Sequence, residues 1–332
     1  MTITELQHQY AGHPNVEALN KLLGKPAVRH IYCGGLYASA ASLFASALVE
    51  KSPCPFVFIL GDLEEAGYFY HDLTQVLGTE RILFFPSSFR RSVKYGQKDA
   101  ANEILRTEVL SRLQKGEEGL CIVTYPDALA EKVVSRQELS ENTLKLHVGE
   151  RVDTGFITDV LHSYGFEYVD YVYEPGQYAV RGSIIDVFSF SSEYPYRIDF
   201  FGNDVESIRT FEVDSQLSKE KKESIVIVPD LAVTGKVTTS FLDFIPKDTT
   251  LAMRDFLWLR ERIQDVHDES LTPQALASQE AEENGGITLE GKLIDGSEFT
   301  VRALDFRRME FGNKPTGTPD ATLTFHTTAQ PI

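Results

Sequence analysis

The feature that most limits what this chain can fold into is a change of rhythm near residue 140. Before it, short apolar runs alternate with helical patterns: HIYCGGLY, PFVFIL, ILFFP and CIVTYP read as buried strands. The segments between them read as helices. ASAASLFASALVEK is rich in small residues, and DLEEAGYFYHDLTQVLG starts at the N-cap Asp62 and stops at Gly78. KDAANEILRTEVLSRLQKG carries Ile104, Leu105, Val109, Leu110 and Leu113 at helical spacing, and PDALAEKVV is a helix opened by a proline. Strands without internal alternation, separated by helices, define an α/β fold with a parallel sheet covered on both faces.

After residue 140 the pattern is that of an α+β unit. One helix, DTGFITDVLHSYG, is capped at Asp153 or Thr154, and alternating strands then follow one another. EYVDYVYE, YAVRGSIIDVFSF, YRIDFFG, VESIRTFEV and ESIVIVP are the expected strands, and EPGQ and FGND have turn chemistry. Beyond about 231, FLWLRERIQDV predicts an amphipathic helix packed on its own domain, and GITLEGKLIDGSEFTVRALDF predicts a hairpin or added strands. The Gly-, Pro- and Thr-rich end reads as a linker. The expected boundaries are 1–139 for the α/β part, 140–230 for the antiparallel unit, 231–315 for a third stretch and 316–332 for the linker.

Composition excludes several functions. With 32 basic against 49 acidic residues, a net charge of −17, the chain as a whole repels nucleic acid. A local rival is the stretch Phe89-Arg90-Arg91-Ser92-Val93-Lys94-Tyr95-Gly96-Gln97-Lys98, where basic and aromatic residues interleave as in single-strand binders; a solvated loop is the other reading. Cys33, Cys54 and Cys121 form neither a zinc spacing nor a disulfide framework. No apolar run reaches the roughly 20 residues of a membrane span and no leader is visible, so a cytoplasmic protein is expected. The eight histidines and the carboxylate pairs form no catalytic motif, and neither cofactor nor metal is expected.

The turn after the first strand has the outline of a phosphate loop. Gly35 and Ser42 hold the first and last positions of G-x-x-x-x-G-K-[ST], but Ala40 stands where glycine is needed and Ala41 where the phosphate-binding lysine is needed. No nucleotide turnover is expected. Weak binding of phosphate by the backbone amides stays open, as does an ordinary strand-to-helix turn.

One long segment carries a family resemblance. Glu174-Pro-Gly-Gln-Tyr178-Ala-Val-Arg181-Gly182-Ser-Ile-Ile-Asp186-Val-Phe188, then Tyr196-Arg197-Ile-Asp199-Phe-Phe201-Gly202, Val205-Glu206-Ser-Ile-Arg209, Phe211 and Gln216, is similar to the domain shared by UvrB and the bacterial transcription-repair coupling factors (Mfd). In that family the domain binds UvrA and is inserted into a split α/β domain, so the resemblance implies that 231–315 completes the first sheet. The degenerate loop points to the coupling factors rather than to UvrB. It also implies a longer parent, an ATP-dependent DNA translocase, whose other domains are partners and one of which masks this surface. Arg181, Arg197 and Phe201 match UvrA-contacting positions, with Asn203, Asp204 and Glu206 as weaker neighbours. Strand alternation leaves a bland alternative open: both arginines pair with Asp199 or Glu206, and Phe201 is core.

Overall fold

A computed structural model describes residues 3–36, 39–52, 54–88, 100–231, 238–270 and 291–327. The basic–aromatic stretch Phe89–Lys98 lies outside the described residues. Along the chain come β1 (His30–Gly34), β2 (Phe56–Ile59), β3 (Ile82–Phe85) and β4 (Cys121–Thr124). Next are β5 (Val133–Val134), β6 (Leu144–His147), β7 (Glu167–Tyr168), β8 (Gln177–Arg181) and β9 (Ile184–Val187). They are followed by β10 (Tyr196–Phe201), β11 (Asp204–Phe211), β12 (Ser218–Lys222), β13 (Ser224–Ile227) and β14 (Thr238–Thr239). Last are β15 (Thr250–Met253), β16 (Arg307–Glu310) and β17 (Ala321–Thr324).

The chain divides into two compact units, one of residues 1–97, 115–132 and 240–332, the other of 98–114 and 133–239. The helix Ala100–Gln114 therefore groups with the second unit, although its place in the βα alternation predicts membership of the first.

The first unit is built on a seven-stranded sheet in the order β17-β1-β16-β15-β2-β4-β3, with every pair parallel. β2, β4 and β15 are buried along their whole length, as strands covered on both faces must be. Strands from before and after residues 133–239 interleave in this sheet, so the α/β domain is split and the later segment completes it. The helices Ile3–Ala11, Pro14–Leu23, Ser39–Lys51 and Leu63–Leu77 pack together in one layer; Pro126–Ala130, Phe256–Ser270 and Gly296–Ala303 pack in another. The caps read from sequence are present. Asp62 accepts a hydrogen bond from the Glu65 amide at 2.8 Å, and Gly78 ends its helix at φ 78°. Asp153 caps the next unit's helix through the Phe156 amide.

Several local expectations are corrected. Gly296–Ala303 is a helix rather than a hairpin, because Asp295 caps it through the Glu298 amide at 2.7 Å. Within the stretch read as a linker, residues 321–324 form an edge strand along β1; the Asp320 carboxylate starts it by accepting from the Arg29 and His30 amides at 2.8 and 2.9 Å. The helix opened by Pro126 stops at Ala130, and Val133–Val134 pairs with β14 instead.

The second unit has a six-stranded sheet, order β12-β11-β10-β9-β8-β7, antiparallel except for β7 with β8. YAVRGSIIDVFSF is not one strand. Gly182, at φ 63°, turns the chain between β8 and β9, a conformation that costs glycine nothing and a residue with a Cβ about 1–2 kcal/mol. EYVDYVYE contributes only Glu167–Tyr168, and ESIVIVP pairs with β6 in a separate ribbon. SKEKK forms β12, which its charge hides from a hydrophobicity reading and which suits an edge strand.

Candidate functional site

Alternation sorts the six-stranded sheet into two faces. Tyr178, Ile185, Val187, Ile198, Phe200, Val205 and Ile208 point into a core with Ile157 and Leu161 of the helix Thr154–Ser163. The opposite face carries Ala179 and Arg181 on β8, Asp186 on β9, and Arg197, Asp199 and Phe201 on β10. Register fixes the rows: Ala179, Asp186, Arg197 and Arg209 stand side by side, and Arg181, Ile184, Asp199 and Ser207 form the next row. The three positions read from sequence thus share one face.

Asp186 organises that face. Its side chain is fully buried, and Arg197 clamps it with two parallel hydrogen bonds, Nε to Oδ1 at 2.8 Å and Nη2 to Oδ2 at 2.9 Å. Arg181 donates to the same Oδ2. The planar fork of arginine matches a carboxylate in this way, and each such bond is stronger than a neutral one. The bond to Asp186 holds the Arg197 guanidinium above its usual range. Arg197 also lies 4.4 Å over the Phe211 ring and donates to the Gln216 carbonyl at 3.1 Å. Gln216 can present that carbonyl because its backbone is left-handed, φ 58°, the one non-glycine residue so placed among the described residues. A second pair, Arg209 with Asp199, continues the ladder, and Ser207 donates to the same Asp199 carboxylate at 3.1 Å.

The alternative pairing of Arg181 and Arg197 with Asp199 or Glu206 is therefore not the one adopted. Asp186 is the partner, Asp199 belongs to Arg209, and Phe201 is not core. Its ring is 78% exposed at the end of β10. Gly202, at φ 64°, turns the chain there, and the backbone beyond is tied down by the Val152 amide donating to the Asn203 carbonyl at 2.8 Å and by an Arg151–Asp204 bridge. Asn203 and Asp204 are exposed in the turn. Glu206 is exposed as the extra residue of a bulge, where the register steps from Asp199–Ser207 to Phe200–Val205.

Sequence reading missed Asp186, Arg209 and Tyr171. The exposed Tyr171 ring lies 5.1 Å under the Arg181 guanidinium. Three arginines pair with two aspartates on this surface. What the face can do is bind. It offers planar cations held by carboxylates, that of Asp186 fully buried, beside an aromatic ring largely open to solvent, the composition of an interface anchor.

The loop after β1 is arranged differently. Gly35 has φ 83°, and a Cβ there would meet the Phe325 carbonyl oxygen at 2.0 Å, because the chain after β17 runs against it. The Phe325 amide donates to the Gly34 carbonyl at 2.8 Å, and its ring packs on Phe44 and His13. Ala40 is half-buried, while Ala41 is buried among Leu36, Phe58 and Met309. The Ser42 hydroxyl donates to Asp72 Oδ2 at 2.6 Å. Among the described residues no helix is long and apolar enough to cross a membrane, and no cluster of His, Cys, Asp or Glu is arranged to hold a metal.

Residues 144–232, which include this face, match the UvrB interaction domain, and the geometry is consistent with a protein-interaction module. The wider chain is similar to transcription-repair-coupling factors: 33% identical over 196 residues to that of Bacillus subtilis (59% of this chain, 16% of the relative). The factor of Escherichia coli is 29% identical over 198 residues (59% and 17%), and that of Haemophilus influenzae 29% over 202 residues (60% and 17%). The chain thus matches about a sixth of the length of these relatives.

Proposed function

We propose that this chain is a non-catalytic docking module that recruits the nucleotide-excision-repair protein UvrA through the polar face of its six-stranded sheet. The observation that carries the reading is Phe201, exposed on the same face as Arg181 and Arg197, inside the segment matching the UvrB interaction domain. Arg181 and Phe201 are the anchors, Arg197 positions Arg181 through their shared Asp186, and Asn203, Asp204 and Glu206 form the rim. The cluster is rigid before binding, so docking forfeits little side-chain freedom.

Support for a non-catalytic reading comes from the loop after β1. Ala41 supplies no cation, and the Ser42 hydroxyl is engaged by Asp72. A phosphate would also meet the Phe325 carbonyl, packed directly against Gly35. In the same proposal the module belongs to a longer coupling factor, whose translocase and other domains lie outside the matched sixth.

Capture of the cognate UvrA on immobilised chain tests the docking reading. Phe201→Ala should reduce capture strongly, whereas Leu304→Ala, at another exposed apolar residue, in the first unit, should not. Equal capture by the wild type and Phe201→Ala chains would refute it.

A further inference from the structure

The parallel sheet has a second feature, independent of the docking face, at the C-terminal ends of β2 and β15. These strands are neighbours, yet the chain leaves β2 toward β3 at one edge of the sheet and leaves β15 toward β16 on the other side. Their loops diverge. Adjacent strands with connections running to opposite sides leave a crevice at their carboxyl ends, and open α/β sheets bind ligands there. In the order β17-β1-β16-β15-β2-β4-β3, no other neighbouring pair of described strands diverges in this way.

A cavity of about 260 Å³ occupies the crevice. Its floor is apolar, with Leu60 and Leu259 both buried. One wall is polar: Glu65 accepts from the Gly61 amide at 2.8 Å through Oε2 and pairs with Arg254 through Oε1. The other side of the mouth is the Trp258 indole, 45% exposed on a helix whose first turn Asp255 caps by accepting from the Trp258 amide at 3.0 Å. Packing of the helix on its core accounts for Leu259 and Ile263 but leaves this ring partly uncovered.

We propose that this crevice is a binding site for a small, uncharged planar heterocycle of the purine base or nucleoside class, stacked on Trp258. An aromatic ring half in water with an apolar floor beside it gains most from a flat partner, as bases stacked on exposed aromatic side chains do. Arg254 supplies N–H donors to ring nitrogens at the rim. Glu65 and Asp255 against Arg254 leave the site one negative charge, which disfavours a phosphate. The volume lies below the roughly 300 Å³ at which sites for larger ligands begin, so the occupant is small.

Trp258 is the sole tryptophan of the chain, so its emission and its single indole N–H resonance report on the crevice alone. Titration of the whole chain with adenosine should change both saturably at millimolar concentration or below. AMP should bind several-fold more weakly. Arg254→Ala, an exposed position, should weaken adenosine at least threefold while leaving the melting temperature within about a degree or two. If that variant fails to fold, the indole resonance of the wild type still decides. No saturable shift with adenosine would overturn the proposal, and so would equal or tighter binding of AMP. A response to indole or N-acetyltryptophanamide without one to adenosine would also overturn it, marking the crevice as a seat for a peptide side chain.

Discussion

Removing the charge of Asp186 tests the architecture of the docking face most severely. In Asp186→Asn the shape is kept, but one acceptor oxygen becomes a donor facing guanidinium groups. The native carboxylate accepts three charge-assisted bonds, one from Arg181 and two from Arg197. Such bonds contribute about 1.5–3 kcal/mol each, and they are not additive around one acceptor. Breaking a buried ion pair costs about 3–5 kcal/mol. Asp186 is fully buried, but the Arg181 side chain is a third exposed and can turn to water, which discounts its share. The expected loss is therefore about 3 kcal/mol, carried mainly by Arg197. Urea unfolding followed by circular dichroism would measure it as a lower midpoint with an unchanged slope. A loss below about 0.5 kcal/mol would refute the claim that Asp186 holds the face together.

Two further outcomes follow from the first unit. Gly35→Ala should destabilise it by well over 1 kcal/mol, seen as a lower melting temperature, since the new Cβ meets the Phe325 carbonyl in a left-handed backbone. Asp320→Asn should lower the melting temperature at neutral pH. The Asp320 carboxyl is held below its ordinary value of 3.8 by the amides of His30 and Arg29, so its contribution is complete above that value and lost as pH falls through the depressed one. The gap between wild type and variant should accordingly close on acidification below 3.8; a gap independent of pH would contradict the assigned role.

Much of the fold was legible because it is written locally. The apolar runs that became β1 to β4 have no internal alternation, and the caps at Asp62 and Asp153 and the stop at Gly78 are short-range chemistry. The hairpin at Gly182 was hidden because alternation continues across it, so only the positive φ of one glycine separates β8 from β9. Residues 321–324 were lost to their composition: threonines beside Gly and Pro read as linker until Asp320 anchors them to β1. The site divides in the same way. Arg181, Arg197 and Phe201 came from a resemblance. The partner of the arginines did not, because choosing Asp186 over Asp199 requires the register between β9 and β10, which sets Asp186 beside Arg197 and which no local pattern encodes. Gln216 was visible as a residue but not as a left-handed turn serving Arg197.

The most direct test of docking is the dissociation constant of UvrA from the intact chain, measured by calorimetry for the wild type and for Phe201→Ala. Phe201 is 78% exposed, so its truncation should leave the melting temperature unchanged, and any loss of affinity belongs to the interface. A hot-spot aromatic contributes about 2 kcal/mol or more, so the constant should rise about 30-fold. A constant within about twofold of the wild type, with UvrA bound at full stoichiometry, would contradict the account.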